Sequence, residues 1–267
     1  MILINVLALV GFAAAALLMM SVEQDAGLAR ALQQREAAAA VAAARGGELS
    51  AIVALRRDMA DAPAVDHPRE AWGAVVQTDT PISGGRFSLT VDDAQARFNI
   101  NNLRGGDILA LALAARGAAA YKLPDTAIGR IATYLDTVGP LQDLTDLRRA
   151  GVDAASLAAL SQVAVALPGR TTVNINTAGE PLLALLTADP AAARLLVERR
   201  RATGFLTPAD LQGAQILLPP GVGFTSDNYI VTTTVTIGAT TVRLTSRLQR
   251  RRDAAGPQVV VLARDLS

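Results

Sequence analysis

The first 22 residues form an uninterrupted apolar run. From Met1 to Val22 there is no charged residue, and the polar exceptions are Asn5 and Ser21. As a helix rising ~1.5 Å per residue, this run spans about 33 Å, roughly the thickness of one hydrocarbon core. No Lys or Arg precedes Arg30, so the basic start of a cleaved signal peptide is missing. Residues 1–22 are therefore predicted to form a transmembrane anchor, in preference to a signal peptide or a buried core helix.

The charges that flank this run complicate its orientation. Arg30, Arg35 and Arg45 all follow it, and basic residues favour the cytoplasmic side of a membrane. Taken alone, they would leave the rest of the chain in the cytoplasm. A short basic leader that preceded Met1 and was removed would resolve this conflict, and we state it as a hypothesis about processing.

The helical pattern continues beyond the apolar run. Glu23 to Arg45 is rich in alanine and contains no proline, and apolar residues recur at near-helical spacing. Gly46-Gly47 is the first expected break, and Asp61-Ala62-Pro63 is the expected end. The sequence thus predicts a long helix whose first half lies in lipid and whose second half offers an apolar face to a folded body.

Strand-like alternation flanks the middle of the chain. Phe87, Leu89 and Val91 alternate with polar residues, and so do residues 229–237 and 242–248, which Gly238-Ala239 separates like a hairpin turn. A third C-terminal strand, residues 258–262, is expected after a loop around Arg250, Arg251, Arg252 and Gly256-Pro257. This order favours an α+β fold, with one antiparallel sheet and a helical insertion.

The middle of the chain contains a weak repeat. Phe98–Asn102 and Val173–Thr177 share an Asn-Ile-Asn core, and each precedes a series of short helical patterns. Asparagine between a strand and a helix usually caps the helix or shapes a turn. Four residues are therefore predicted to be structural caps: Asn99, Asn101, Asn174 and Asn176.

Composition argues against an enzyme. The 267 residues include 25 basic and 24 acidic ones, so no overall field attracts nucleic acid. Without cysteine there is no disulfide or thiol nucleophile, and the single histidine, His67, lies in a turn-like Asp-His-Pro context expected at the surface. No nucleophile elbow, phosphate loop or zinc spacing occurs. Neither a catalytic residue nor a cofactor is predicted.

Three acidic residues are candidate calcium ligands. Asp136, Asp143 and Asp146 could supply oxygen atoms, but apolar residues and Gly139-Pro140 separate them, unlike a dense calcium loop. Helix caps and solvated faces are expected instead, so no metal site is predicted.

Residues 173–211 resemble the helix-hairpin-helix repeat of DNA-binding proteins. The turn that would face phosphate, Thr187–Pro190, lacks glycine and carries a carboxylate, whereas Arg194 and Arg199–Arg201 supply positive charge. A membrane-tethered DNA-binding protein of the competence type is therefore the alternative function. Nucleic acid is not the expected partner.

The order of features resembles minor pseudopilin K of bacterial type II secretion systems. The resemblance rests on Leu3–Leu7 at the start of the apolar helix, Arg97–Leu103 and Val173–Ala178, with the Thr-rich strand after Asn228-Tyr229 and a closing Val-rich strand. It implies a pilin-like fold: the long helix packs on an antiparallel sheet, which carries a large inserted all-helical domain. The implied units are the anchor 1–22, helix and first strands 23–97, insertion 98–226 and C-terminal strands 227–267.

The resemblance also implies a role and a place in the cell. Members of the protein K family join pseudopilins I and J at the tip of a periplasmic pseudopilus. The pseudopilus supports export of folded proteins across the outer membrane. The expected location is the inner membrane, crossed once, with the body in the periplasm. Lipid is then a further partner, and so is prepilin peptidase if a leader is present.

The chain differs from most pilins at its fifth residue and from the protein K family in its calcium loop. Most pilin-like helices carry Glu at the fifth position, whereas protein K usually lacks it, and this chain has Asn5. Five residues are assigned to the anchor and helix assembly: Met1, Leu3, Asn5, Leu7 and Phe12. The calcium loop of the family is shortened, because residues 134–139 run almost straight into Pro140, so calcium binding does not carry over.

Overall fold

The computed structural model describes residues 2–61, 64–213, 216–217, 220–254 and 256–267. The helices are α1 (Ile2–Asp61), α2 (Ala71–Ala74), α3 (Ile108–Ala120), α4 (Ala127–Val138), α5 (Ala154–Ser161), α6 (Glu180–Thr187), α7 (Pro190–Thr203) and α8 (Pro208–Gly213). The strands are β1 (Gln77–Ile82), β2 (Gly85–Asp93), β3 (Phe98–Asn99), β4 (Ala164–Val165), β5 (Val173–Asn174), β6 (Val222–Gly223), β7 (Asn228–Ile237), β8 (Thr240–Asp253) and β9 (Gly256–Leu266). Short 3₁₀ helices lie at Ala94–Ala96, Ile100–Leu103 and Leu144–Ala150.

Helix α1 is continuous, so the break expected at Gly46-Gly47 is wrong. Gly47 is buried where α1 crosses the sheet, and a Cβ atom built on it would lie 2.8 Å from Phe87 and 2.9 Å from Thr233. The residue is glycine because the helix and sheet approach closely there, and the surrounding helix tolerates it. The helix ends at Asp61, while residues 62 and 63 of the expected stop lie outside the described residues.

Five strands form one antiparallel sheet in the order β1-β2-β7-β8-β9. The hairpin at Gly238-Ala239 is confirmed, since β7 ends at Ile237 and β8 begins at Thr240. The prediction of a loop around Arg250–Arg252 is wrong. These residues continue β8 and pair with β9, because the ladder runs on to Asp253 opposite Gly256.

Helix α1 covers one face of this sheet. Its Ala51 and Leu55 are fully buried against Leu89, Val231 and Leu248 from three different strands. The small residues of α1 let the helix axis lie close to the strands, and the apolar area removed from water stabilises the contact. The predicted fold, a long N-terminal helix packed on an antiparallel sheet, is confirmed.

The insertion lies between two strands that are neighbours in the sheet. Strands β2 and β7 pair, with Asp93 opposite Tyr229, so the chain leaves the sheet and returns to it at the same end. The insertion has its own core, in which Ile131, Leu147, Leu183 and others are buried. The prediction that the insertion is all-helical is wrong, because it also contains short strands. Each Asn motif begins as a short strand that pairs in parallel, β3 with β4 and β5 with β6.

We expect Gly47→Leu to destabilise the folded chain by roughly 1–3 kcal/mol, because overpacking would push α1 away from Phe87 and Thr233. Urea denaturation of the detergent-solubilised full chain measures this change. Gly46→Ala is the matched control: its Cβ meets nothing within 4 Å, so we expect unchanged or higher stability. Equal losses in both variants would contradict the close-packing explanation.

Candidate functional site: anchor helix and domain junction

The first third of α1 is free of the body. Every described side chain from Ile2 to Ser21 is exposed, and the segment is long and apolar enough to cross a membrane. Leu3, Leu7 and Phe12 lie along it, 81%, 75% and 80% exposed, and Asn5 is also exposed. Met1 lies outside the described residues. The length and the exposed apolar surface of this segment fit a transmembrane anchor.

The middle of α1 has two unlike faces. One face packs on the sheet, and Ala40 and Ala44 are fully buried there. The other face leaves large apolar side chains exposed, among them Leu28, Leu32, Leu49 and Val53. Exposed apolar residues repeated along one helix are a usual feature of helix–helix assembly surfaces.

In the first Asn motif, the Asn99 side chain caps a short helix, and the Asn101 side chain connects two loops. Asn99 precedes a 3₁₀ helix and accepts a hydrogen bond from the Asn101 backbone N–H at 3.1 Å. Asn101 is not a cap, contrary to expectation. It lies inside that helix, is buried, and exchanges two hydrogen bonds with the backbone of Leu141 while donating to the Leu167 carbonyl. Its amide therefore joins two loops distant in sequence.

The second motif repeats this geometry. Asn174 accepts the Asn176 backbone N–H at 2.9 Å, and Asn176 exchanges two hydrogen bonds with the backbone of Leu206. Like Asn101, Asn176 bridges two loops and is not the expected cap, since the N-cap of the next helix, α6, is Gly179. Asn174 goes further, because its amide donates to the Asp66 carbonyl and to the Asp93 carboxylate. It connects the insertion to the sheet.

Asp93, the last residue of β2, is the first centre of the domain junction. One of its carboxylate oxygens accepts hydrogen bonds from Asn174 at 2.9 Å, Ser226 at 2.6 Å and Thr177 at 2.5 Å. Its other oxygen accepts the Gln95 N–H at 2.8 Å. Burial raises the pKa of Asp93, and these donors oppose that shift.

Arg250, in β8, is the second centre. Its buried guanidinium donates to Asp58 near the end of α1 at 2.8 Å, to Asp66 in the following segment, and to the Ser226 carbonyl at the end of the insertion. The guanidinium also lies 5.1 Å from the centre of the Tyr229 ring. One cation thus contacts the helix, the linker, the insertion and the sheet.

The junction holds more carboxylates than cations. Asp58, Asp66 and Glu70 each place an oxygen within 4.8 Å of the other two, with Arg250 on the first two. Burial, then the charge of Glu70, raise the pKa of Asp58 to about 7 despite Arg250. Burial also raises the pKa of Glu70. Arg250 and a proton on Asp58 both reduce the negative charge of this cluster.

His67 lies beside this junction rather than at the free surface expected for it. Its ring stacks on Phe205 with ring centres 4.3 Å apart, and its side chain is 12% exposed. Burial, together with Arg69, lowers its pKa, which favours the neutral ring. The sequence carried no signal for this contact, since Phe205 is far away along the chain.

The candidate calcium ligands have protein partners. Asp143 caps the 3₁₀ helix that follows it, and its side chain pairs with Arg247 at 2.6 Å. Asp136 accepts a backbone N–H at 2.8 Å, and Asp146 pairs with Arg149 at 3.3 Å. Calcium needs about six or more converging oxygens, so this set does not fit the ion.

The arginines of the helix-hairpin-helix-like segment are largely committed to the protein. Arg200 donates to two backbone carbonyls of the insertion, Arg194 pairs with Glu180 at 3.4 Å, and Arg199 pairs with Asp210 at 3.6 Å. The turn itself uses Asp189 to cap α7. Three of the four arginines of this segment thus have acceptors within the protein.

Comparisons with known proteins point to one family. Residues 173–231 match the family described as type II secretion system protein K. Type II secretion system protein K of Pseudomonas aeruginosa is 27% identical, over 84% of this chain and 79% of that protein. The fold is similar to a chain in the crystal structure of the GspK–GspI–GspJ complex of enterotoxigenic Escherichia coli. That match has a TM-score of 0.67 and 19% identity, and covers 89% of this chain and 99% of the other.

We expect the Asp58 carboxyl to make the stability of the full chain fall as the pH rises from about 4 to 7. The pKa of Asp58 is about 7 in the folded chain, against a usual value of 3.8, so the folded state holds an extra proton between these values. This stabilisation is complete below about pH 4 and is lost as the pH rises past about 7. Urea denaturation across pH should show a flatter profile for Asp58→Asn. Asp61→Asn, an exposed carboxylate of the same helix, is the control and should keep the wild-type slope.

We expect calcium to change the stability of this chain little, because the candidate carboxylates are engaged by the protein. Thermal melting in millimolar calcium and in excess chelator should give near-identical midpoints. A calcium-dependent rise of about ten degrees would imply several kcal/mol of binding linkage and would contradict this prediction.

Proposed function

We propose that this chain, whose resemblance to type II secretion system protein K is confirmed by sequence and by fold, acts as a minor pseudopilin. The observation that carries the proposal is the similarity to protein K over 84% of the chain, combined with an exposed apolar N-terminal helix on a pilin-like sheet. In this role the chain assembles at the tip of the pseudopilus and supports export of folded proteins across the outer membrane.

The proposed partners are minor pseudopilins I and J and the lipid of the inner membrane. The similar crystal structure is that of a K protein in complex with I and J. In this chain the exposed apolar face of α1, with Leu28, Leu32, Leu49 and Val53, offers a surface for such helices. Prepilin peptidase is a further partner if a leader precedes the chain. The body is proposed to lie in the periplasm, with the membrane crossed once.

The proposed role is structural and not catalytic. Hydrogen bonds and ion pairs of the Arg250 guanidinium and the Asp93 carboxylate link separate parts of the fold. The competing DNA-binding role is disfavoured, because Arg194, Arg199 and Arg200 of the relevant segment have protein acceptors.

We expect deletion of this gene in its own bacterium to abolish export of type II substrates, and the full chain to restore it. Pseudopilins I and J should copurify with the restored chain. Asn5→Leu should also restore export, because Asn5 offers no charge to pair with a neighbouring subunit in the membrane. Exported proteins in the medium are the measurement, with the level of the chain checked in membranes.

Three results would contradict this picture. Normal export in the deletion strain would exclude the proposed role. Loss of export in Asn5→Leu at a normal protein level would show a specific polar role for Asn5. A strong, salt-dependent shift of DNA by the purified chain would instead favour the DNA-binding alternative.

A further inference from the structure

A cleft of about 430 Å³ lies where the insertion meets the sheet. The loop before α5 and α5 itself form one wall, and strands β7, β8 and β9 form the other. Its volume is in the range of sites that hold a ligand or a side chain from a partner. The cleft is separate from the exposed face of α1, and it adjoins the Arg250 junction through Tyr229.

The walls of this cleft are mainly apolar. Leu141, Leu157, Val165 and Leu167 are buried side chains of the insertion that line it. Leu262 of β9 lines it from the sheet and is 41% exposed. Apolar surface left open at this position would be removed from water by an apolar side chain of a partner.

Polar groups in the cleft lack partners within the described part of the chain. Arg97 is half-buried and Arg148 is exposed, and neither side chain has a hydrogen bond or ion pair among the described residues. The Asn228 Oδ1 atom is buried and accepts no hydrogen bond from any described residue, although Asn228 is only 3% exposed. Both guanidinium groups can therefore donate hydrogen bonds to an acceptor from a partner.

A third arginine of the cleft, Arg247, already has acceptors within the protein. Arg247 also lines the cleft, but it donates to the Gln142 carbonyl and pairs with Asp143. Asp92 and Asp93 are near Arg97, yet neither forms an ion pair with it within the described residues. Among the side chains that line the cleft, three arginines (Arg97, Arg148 and Arg247) therefore stand against one carboxylate, Asp143.

The cleft reaches the edge of the sheet. Strand β9 pairs with β8 on one side, and no further strand covers its other side in the described ranges. An open edge presents backbone N–H and C=O groups to an extended chain. A peptide segment is better suited to this combination than a small amphiphile, because it supplies an apolar side chain, a carboxylate and backbone donors together.

We propose that this cleft is a docking site for an extended segment of a partner protein in which an apolar residue adjoins a carboxylate. The apolar side chain enters between Leu157 and Leu262, and the carboxylate meets Arg97 and Arg148. This site does not rest on the pseudopilin role, since it is defined by the chemistry of the cleft alone.

The test is selection of a random heptapeptide display library on the full chain in lipid nanodiscs. Selected peptides should share an apolar residue next to Asp, Glu or a free C-terminus. Their affinity, measured by fluorescence anisotropy, should fall about tenfold in Arg148→Gln through loss of a charge-assisted hydrogen bond. Arg149→Gln is the matched control, because Arg149 is the adjacent residue, pairs with Asp146 and does not line the cleft.

A second variant tests the apolar part of the site. Ala158 lines the cleft and is exposed, so Ala158→Trp should fill the space without disturbing the core and should also weaken binding about tenfold or more. Dodecanoate serves as the competing small amphiphile. The proposal is overturned if no peptide is selected, if selected peptides lack a carboxylate, if Arg149→Gln weakens binding as much as Arg148→Gln, or if dodecanoate binds where peptides do not.

Discussion

The structure depends on the ion pairs of a single buried cation, Arg250. Its guanidinium contacts Asp58 of α1, Asp66 of the linker and the carbonyl of Ser226 at the end of the insertion. Removing such charges from water is costly, and the cost is offset only where geometry and further hydrogen bonds are good. A shift of any one of these parts would leave a charge buried without a partner. The junction therefore specifies how the parts fit together more than it adds stability.

The two asparagine motifs extend this logic into the insertion. In each motif the first asparagine shapes the turn and the second ties a distant loop, Asn101 to Leu141 and Asn176 to Leu206. Only the second motif reaches the sheet, where Asn174 meets Asp93. The repeated unit thus has one copy devoted to the interior of the insertion and one that also attaches it to the sheet. The segment that matches the family, residues 173–231, begins with this second copy.

Local patterns in the sequence were sufficient for the elements but not for the junction. Alternation at Phe87–Val91 and along β7 depends on neighbours in the chain, so strands and hairpin could be predicted. Gly47 and Arg250 could not be interpreted in this way, because the meaning of each lies in a partner far away in sequence. A glycine pair looks like a helix break and an arginine run looks like a loop when no partner is known. The cleft could not be predicted for the same reason, since its walls come from segments far apart in the chain.

The unbroken course of α1 has a mechanical consequence. Its 60 residues make a rod of about 90 Å, and the body first holds it at Glu36, which accepts hydrogen bonds from Ala239 and Thr240. Residues 23–35 lie between the apolar segment and that contact, and they form about 20 Å of bare stalk. Helix α1 packs along the sheet, and its Asp58 pairs with Arg250 of β8. Because of these contacts, displacement of the helix along its axis moves the sheet with it. Displacement of the N-terminal end of α1 along the helix axis by one residue would therefore move the whole body by nearly the same distance, about 1.5 Å.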